Sequence, residues 1–264
     1  MRGLPIGLAV LSFIAVVPGA ACAAPEVALE ARFVPIAGYP KTGNRLGGGA
    51  ILDATLKISG TEYGGFPPPL IGFTLYFPTD TETRPGLFKT CPKQLILKSG
   101  KGKKCPTAAE GGQVGRVKGI VTFHGQRVLE ESTLQSFITP GLGLSFLAVG
   151  HSPAPLKILW GAEYGDFGGS EGFGEDLIAH LPLIQTSPGT PDLSIEEIGL
   201  DIGAARLVRR YRKPRRLRPT SYLVVPKRCP RGGLPFKSEL TFASGGDLPQ
   251  QTVTAIDFAP CPRY

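Results

Sequence analysis

Apolar and polar residues alternate with period two in four segments of this chain, and this pattern constrains the fold more than any other feature. Successive side chains of a β-strand point to opposite faces of a sheet, so each alternating segment predicts a half-buried strand. The four segments are Leu52–Ile58, Ile71–Phe77, Phe236–Phe242 and Thr254–Phe258.

Seven further segments are weaker strand candidates: Val27–Val34, Val114–Phe123, Gly143–Val149, Leu156–Gly161, Asp176–Ile184, Leu193–Ile202 and Ser221–Val225. The 36 glycines and 26 prolines are scattered between the apolar runs, and no segment favours a helix of three turns. About eleven strands separated by turns predict an all-β chain, with an antiparallel β-sandwich as the expected fold and barrel-like closure as the alternative.

The N-terminus has the features of a secretory signal peptide. Met1-Arg2 supplies a positive start, Leu4–Val17 is apolar, and Ala21-Cys22-Ala23 is a small-x-small cleavage site. We therefore expect residues 1–23 to be removed and residues 24–264 to form a single secreted β-sandwich domain. The apolar run is shorter than a comfortable transmembrane span, and no later stretch qualifies, so a transmembrane segment is not expected.

Cys22 leaves lipid anchoring open as an alternative. A bacterial lipoprotein keeps a lipidated cysteine as its first mature residue, usually with a branched apolar residue three positions earlier, where this chain has Gly19. Cleavage after Ala23 would instead discard Cys22 and leave four cysteines, and an even number suits a secreted disulfide protein. The prediction is secretion to the extracellular space or cell envelope.

The four remaining cysteines, Cys91, Cys105, Cys229 and Cys261, each precede a proline. Their spacing lacks the Cys-x-x-Cys of a thioredoxin-type redox centre and the short gaps or histidine partners of a zinc site. Structural disulfides fit best because an exported chain meets an oxidising compartment. Of the three possible pairings, we expect Cys91 with Cys105 and Cys229 with Cys261, since the last two cysteines flank the predicted C-terminal hairpin.

Two parts of the chain resemble a family of exported bacterial β-proteins without established function. One is "LYFPTDTETRPGLFKTCPKQLILKSGKGKKCPTAAEGGQVG", in which two Cys-Pro pairs bracket a basic loop before a Gly-Gly-x-x-Gly strand. The other is "YLVVPKRCPRGGLPFKSELTF" with the closing "TVTAIDFAPCP". The resemblance covers residues 44 to 262. It implies secretion and an all-β fold, and it implies no activity.

The run "RLVRRYRKPRRLR" holds eight basic residues and no acidic one, in a chain of formal net charge +8. Such a run predicts contact with an anionic cell-surface polymer or glycan, and nucleic acid is not the expected partner. The alternative interpretation is a solvated hairpin loop between strands around Leu200 and Tyr222. The candidate contact residues are Arg206, Arg209, Arg210, Tyr211, Arg212, Lys213, Arg215, Arg216 and Arg218.

Candidate catalytic and metal-binding patterns are weak. Glu163–Asp176 carries five carboxylates among glycines, but the spacing matches no calcium loop. The same stretch contains Gly-x-Ser-x-Gly around Ser170, with His180 and Asp201 as conceivable partners, yet no helix is expected after the serine as a hydrolase requires. The sequence therefore favours a non-catalytic binding or structural module without a cofactor. The alternative is a secreted glycan or ester hydrolase with an unidentified carboxylate or serine site.

Overall fold

The computed structural model describes residues 24–37, 46–98, 104–141, 143–153, 155–166, 168, 170–209, 217–244 and 249–263. The expected signal peptide, residues 1–23 with Cys22, lies outside these ranges.

The described residues form strands, one short α-helix, α1 (Lys93–Lys98), and three single-turn 3-10 helices, Pro85–Leu87, Thr107–Ala109 and Ser170–Gly172. The strands are β1 (Glu26–Pro35), β2 (Leu46–Ser59), β3 (Leu70–Pro78), β4 (Glu82–Thr83), β5 (Gly115–Phe123), β6 (Gln126–Ile138), β7 (Leu144–Gly150), β8 (Lys157–Asp166), β9 (Phe173–His180), β10 (Ser194–Ile202), β11 (Ala205–Arg209), β12 (Leu217–Ser221), β13 (Leu223–Pro226), β14 (Leu234–Phe242) and β15 (Gln251–Ala259). Within the described ranges, no helix has both the length and the apolar character that crossing a membrane requires.

Thirteen strands form one antiparallel sheet in the order β15-β14-β3-β9-β8-β7-β6-β5-β10-β2-β13-β4, and β1 pairs with β2. The sheet curls strongly. β3 and β7 are separated by two strands, yet the rings of Phe73 and Phe146 lie 6.5 Å apart across the core. The predicted antiparallel all-β class is confirmed. Two halves of the one continuous sheet face each other across the core.

Barrel closure, the alternative expectation, is not found. Strands β1 and β15 lie beside each other, but among the described residues no backbone ladder joins them. Instead, the Ala31 N–H donates to the Asp257 carboxylate at 2.7 Å. A side chain thus satisfies part of an edge that would otherwise present unpaired backbone groups.

Strand β6 is absent from the sequence-based predictions because its inward face is partly polar. Glu130 and Ser132 are buried, whereas Leu129 is 48% exposed. Period-two analysis assigns apolar residues to the core, so this inverted pattern hides the strand. A second difference is that β9 ends at His180, short of the predicted end at Ile184, although the Leu181 N–H still donates to the Ile71 carbonyl at 2.8 Å.

Both expected disulfides are confirmed. Cys91 and Cys105 have a Cα–Cα distance of 5.5 Å, and Cys229 and Cys261 have one of 5.9 Å. The second bridge joins the ends of the β14–β15 hairpin, in which Leu234 pairs with Ala259. The first bridge anchors α1 to the outer face of β6 and β7, where Cys91, Ile96, Ala109, Phe137 and Leu147 form a small second core.

Candidate functional site

The described residues at the two ends of the basic run lie on a pair of strands that is separate from the main sheet. Strands β11 and β12 pair only with each other, with Arg206 opposite Thr220 and Val208 opposite Arg218. The hairpin expected between Leu200 and Tyr222 is therefore present. A free hairpin can present charge to a partner without disturbing the main core.

The predicted contact residues fall into two groups. Arg206, Arg209 and Arg218 lie on the strands of the hairpin. The other six lie outside the described residues: Arg210, Tyr211, Arg212, Lys213, Arg215 and Arg216. Their contact with a polymer stays a prediction.

A second basic segment, residues 84–110, lies next to the hairpin. We call it the lysine segment because it holds six lysines and Arg84 against one acid, Glu110. The Cys91–Cys105 bridge closes it into a loop. Four of its lysines lie in described positions and are exposed, and none of them forms an ion pair with another described residue: Lys89, Lys93, Lys98 and Lys104.

Backbone hydrogen bonds attach the lysine segment and its continuation to the base of the hairpin. The Arg84 N–H donates to the Tyr222 carbonyl at 2.7 Å, and the Gly203 N–H donates to the Gly111 carbonyl at 2.7 Å. The Phe88 ring packs edge-on against the Tyr222 ring, with centroids 5.7 Å apart. The two basic segments consequently meet, although about a hundred residues separate them in sequence.

We call these two segments together, residues 84–110 and 205–221, the cationic end. They hold 15 of the 29 lysines and arginines and a single acidic residue. The remainder of the chain has 14 basic and 20 acidic residues, a net charge of −6. The positive charge of the chain is therefore concentrated on these two segments, which raises the local electrostatic potential there.

A shallow groove borders the lysine segment on the outer face of the sheet. It is lined by Lys93, Gly161, Glu163, Ile178 and His180 and measures about 280 Å³. Gly161 has no side chain to block the Lys93 ammonium, which lies directly above it. The groove offers both a cation and a carboxylate, which suits hydrogen bonding to a polar chain better than holding a phosphate alone.

Lys237, unlike the exposed lysines of the lysine segment, is buried. It is 9% exposed, its ammonium lies 4.1 Å from the Tyr76 ring centroid, and it contacts the Glu239 carboxylate at 3.2 Å. Burial, then the hydrogen bond to Glu239 at 2.8 Å, raises the pKa of Tyr76. Because its ammonium is enclosed by these groups, Lys237 stabilises the outer face of the sheet and is not a contact for a polymer.

Buried tyrosines support the hairpin base from inside. The Tyr222 hydroxyl donates to the Tyr164 hydroxyl at 3.1 Å, and burial raises the pKa of both. Nearby, the Glu175 carboxylate accepts the Thr83 N–H at 3.2 Å, and burial raises the pKa of Glu175. These hydrogen bonds fix β8, β9, β4 and the start of β13 relative to one another, so they position the cationic end.

The conceivable hydrolase residues are not brought together. Ser170 lies in the turn before β9, and His180 lies at the far end of that strand, which is about 23 Å long at ~3.3 Å per residue. Asp201 lies on β10, beyond β8, β7, β6 and β5 in the sheet. The turn is followed by a strand and not by a helix, so it is no nucleophile elbow.

The acidic stretch Glu163–Asp176 forms the end of β8, a turn and the start of β9. Across the ranges that the structure describes, no three His, Cys, Asp or Glu side chains are arranged to hold a metal ion. The cationic end is therefore the best-supported candidate site. Sequence reasoning identified its hairpin half but assigned no role to the lysine segment, although its excess of lysine over acid was visible.

Comparison of the chain with protein-family models, with curated protein sequences and with solved structures finds no match in any of the three.

Proposed function

We propose that this protein is an exported, non-catalytic binding module that contacts an anionic polymer of the cell envelope or its surroundings through the cationic end. The observation that carries the proposal is the meeting of two basic segments on a chain whose remainder is net acidic. Two disulfides are compatible with the oxidising compartment that export would provide.

The exposed lysines give the surface its expected physical properties. Lys89, Lys93, Lys98 and Lys104 keep their charge available because no carboxylate of the described residues neutralises them. Contacts between solvent-exposed charges are screened over about 8 Å at physiological ionic strength. Binding should therefore be multivalent, fast and strongly weakened by salt, with little dependence on the fine structure of the polymer.

The test measures binding of fluorescent polyphosphate and of polygalacturonate by anisotropy between low and physiological salt, with neutral dextran as the negative probe. The variant Lys93→Glu/Lys98→Glu should lose at least tenfold in affinity for both polyanions. The control Lys57→Glu/Arg116→Glu changes net charge equally on exposed strand residues outside the cationic end and should lose less than threefold.

The hairpin is tested separately by reversing Arg209, Arg210, Arg215 and Arg216. We expect a further loss of affinity, whereas the four matching Arg→Lys changes keep the charge and most of the binding. Equal weakening by the control pair and by Lys93→Glu/Lys98→Glu would show that only net charge matters and would refute a located site. Salt-independent binding would refute the electrostatic basis.

Cleavage after residue 23 and the alternative of a lipid on Cys22 have their own test. The intact mass of the exported protein, measured before and after reduction and alkylation, reports the cleavage point, any lipid and the number of bonded thiols. We expect an unlipidated chain that begins at Ala24 with no free thiol.

A further inference from the structure

The groove beside the lysine segment is built on the outer face of β8 and β9. Gly161 lies directly opposite His180 in the ladder between these strands, and Glu163 lies opposite Ile178. Diagonal neighbours on one face of such a ladder are about 7 Å apart, within reach of one ligand. Glu163 and His180 are a diagonal pair of this kind, so their side chains leave the sheet in the same small area.

Lys93 adds a cation to this area from α1. The helix lies on the outer face, where Ile96 packs in the second core and the Lys157 ammonium of β8 donates to the Leu97 carbonyl. A Cβ at Gly161 would lie 2.9 Å from the Lys93 ammonium, so the missing side chain leaves room for it. The ammonium therefore lies over the same strand that carries the groove's carboxylate.

The His180 side chain lies toward the other neighbouring strand. Its partner there is Gly72 of β3, and a Cβ at Gly72 would lie 4.0 Å from the His180 Nδ1 atom. A Cβ at Gly161 would instead meet only Lys93. The space over Gly161 is therefore open between the imidazole and the ammonium. The groove of about 280 Å³ is close to the size of ~300 Å³ at which small-ligand sites begin.

The three polar groups of the groove are available to a ligand. Lys93, Glu163 and His180 are exposed, and none of their side chains makes an ion pair or hydrogen bond with another described residue. Ile178, 37% exposed, adds an apolar contact between them. Within the described structure, a ligand competes only with water for these groups.

The combination of groups identifies the class of ligand. The Lys93 ammonium only donates and favours a negative charge, whereas the Glu163 carboxylate only accepts and repels one. Polyphosphate has no hydroxyl along its chain to donate to Glu163, and a neutral glycan has no charge for Lys93. A sugar acid carries a carboxylate and several hydroxyls on one ring, and the C–H groups of that ring can contact Ile178.

We propose that this groove makes the cationic end selective for polymers of sugar acids. Lys93 holds a ring carboxylate, Glu163 accepts hydrogen bonds from ring hydroxyls, and His180 bonds a further hydroxyl. The inference rests on the proposed function, because the cationic end supplies the affinity for polyanions in general. Charge alone discriminates poorly between them, and the groove adds the preference for one chemical class.

The experiment measures binding of three fluorescent polyanions by anisotropy. Polygalacturonate has carboxylates and hydroxyls, polyacrylate has carboxylates alone, and polyphosphate has neither. Gly161→Val keeps the net charge, suits a strand and fills the position beneath the Lys93 ammonium. It should weaken polygalacturonate about fivefold or more and change the other two polymers less than about twofold.

Glu163→Ala gives a result of opposite sign for the two kinds of polymer. It should weaken polygalacturonate about threefold or more through the lost hydrogen bonds, and it should tighten polyacrylate and polyphosphate because a repelling charge is removed. Glu26→Ala is the matched control, since Glu26 is also an exposed strand carboxylate without an ion pair among the described residues. It should tighten all three polymers equally. His180→Ala replaces Gly161→Val if that variant does not fold, and it should weaken polygalacturonate alone.

Two results would overturn the inference, and they differ in what else they overturn. If Gly161→Val and Glu163→Ala change the binding of all three polymers by the same factor, the groove does not select sugar acids, but the proposed function stands. If the wild type binds none of the three polymers, the proposed function fails and the selectivity fails with it.

Discussion

The Cys229–Cys261 bridge offers a quantitative test of what stabilises the fold. Replacing both cysteines by serine should be structurally mild, because Cys229 is only partly buried and Cys261 is exposed. Both lie just outside the β14–β15 hairpin, whose ladder from Leu234 to Phe242 remains available without the bridge. The main loss is the constraint that the crosslink places on the unfolded chain.

The magnitude follows from the length of the closed loop. The bridged cysteines have a sequence separation of 32, for which loop-closure entropy corresponds to about 3.7 kcal/mol at 25 °C. In a chain of this size, each kcal/mol corresponds to about 2–4 °C in melting temperature, so we expect a decrease of about 7–15 °C. The Cys91–Cys105 bridge, with a separation of 14, corresponds to about 3 kcal/mol.

The assay compares thermal and urea unfolding of the wild type, Cys229→Ser/Cys261→Ser and Cys91→Ala/Cys105→Ala. Alanine is used for the first bridge because Cys91 is fully buried and a serine hydroxyl there would add a desolvation cost. Limited proteolysis should cut the lysine segment only in Cys91→Ala/Cys105→Ala. A decrease of less than about 2 °C in Cys229→Ser/Cys261→Ser would show that the unfolded chain already keeps its hairpin ends together, and the entropy argument would be wrong.

Four further predictions concern the hairpin base. Tyr222→Phe should destabilise the fold by about 1–3 kcal/mol because it leaves the Tyr164 hydroxyl buried without a partner, whereas Tyr164→Phe/Tyr222→Phe should be nearly neutral in urea unfolding. Because burial raises both tyrosine pKa values, the native state keeps protons that the unfolded chain releases, so the stability of the wild type should fall as pH rises above about 10. The double variant should show a smaller decrease, and Tyr76, whose pKa is also raised, accounts for the part that remains. Burial, followed by the nearby Asp53 carboxylate, raises the pKa of Asp201, so the stability of the fold decreases as pH rises above the ordinary aspartate range. Asp201→Asn should therefore raise the melting temperature at pH 7, and an unchanged melting temperature would contradict this. Gly203 has a φ of 133°, and an added Cβ would lie 2.9 Å from the Ala50 carbonyl oxygen. Gly203→Ala should therefore lower the free energy of unfolding by about 1–3 kcal/mol and weaken polyphosphate binding. Wild-type stability together with wild-type binding would refute this role of Gly203.

Strand identity was predictable where the inward face is apolar. The segments Ile71–Phe77 and Phe236–Phe242 alternate cleanly and became β3 and β14, paired with each other. Strand β6 was not predictable in this way because the polar residues Glu130 and Ser132 occupy buried inward positions.

One half of the candidate site was likewise predictable from the sequence, and the other half was not. The arginine-rich run is visible as a local excess of charge, and its hairpin follows from the strand signals on either side. Its neighbour was not visible, because the contact of the Phe88 ring with Tyr222 and the hydrogen bond from Gly203 to Gly111 join residues far apart in sequence. Local composition reports how much charge a segment carries, but only the sheet topology determines which segments share a surface.

The sequence by itself determined the all-β class, the pairing of the four Cys-Pro cysteines and the presence of a basic hairpin. These depend on short-range rules: side chains alternate along a strand, prolines restrict the residue before them, and a hairpin brings its ends together. Only the tertiary structure decided that the sheet curls without closing, that two basic segments meet, and that Glu130 and Ser132 of β6 are buried. Those outcomes depend on the burial of one continuous inner face. The favourable free energy of that burial depends on the whole sheet and on no single segment.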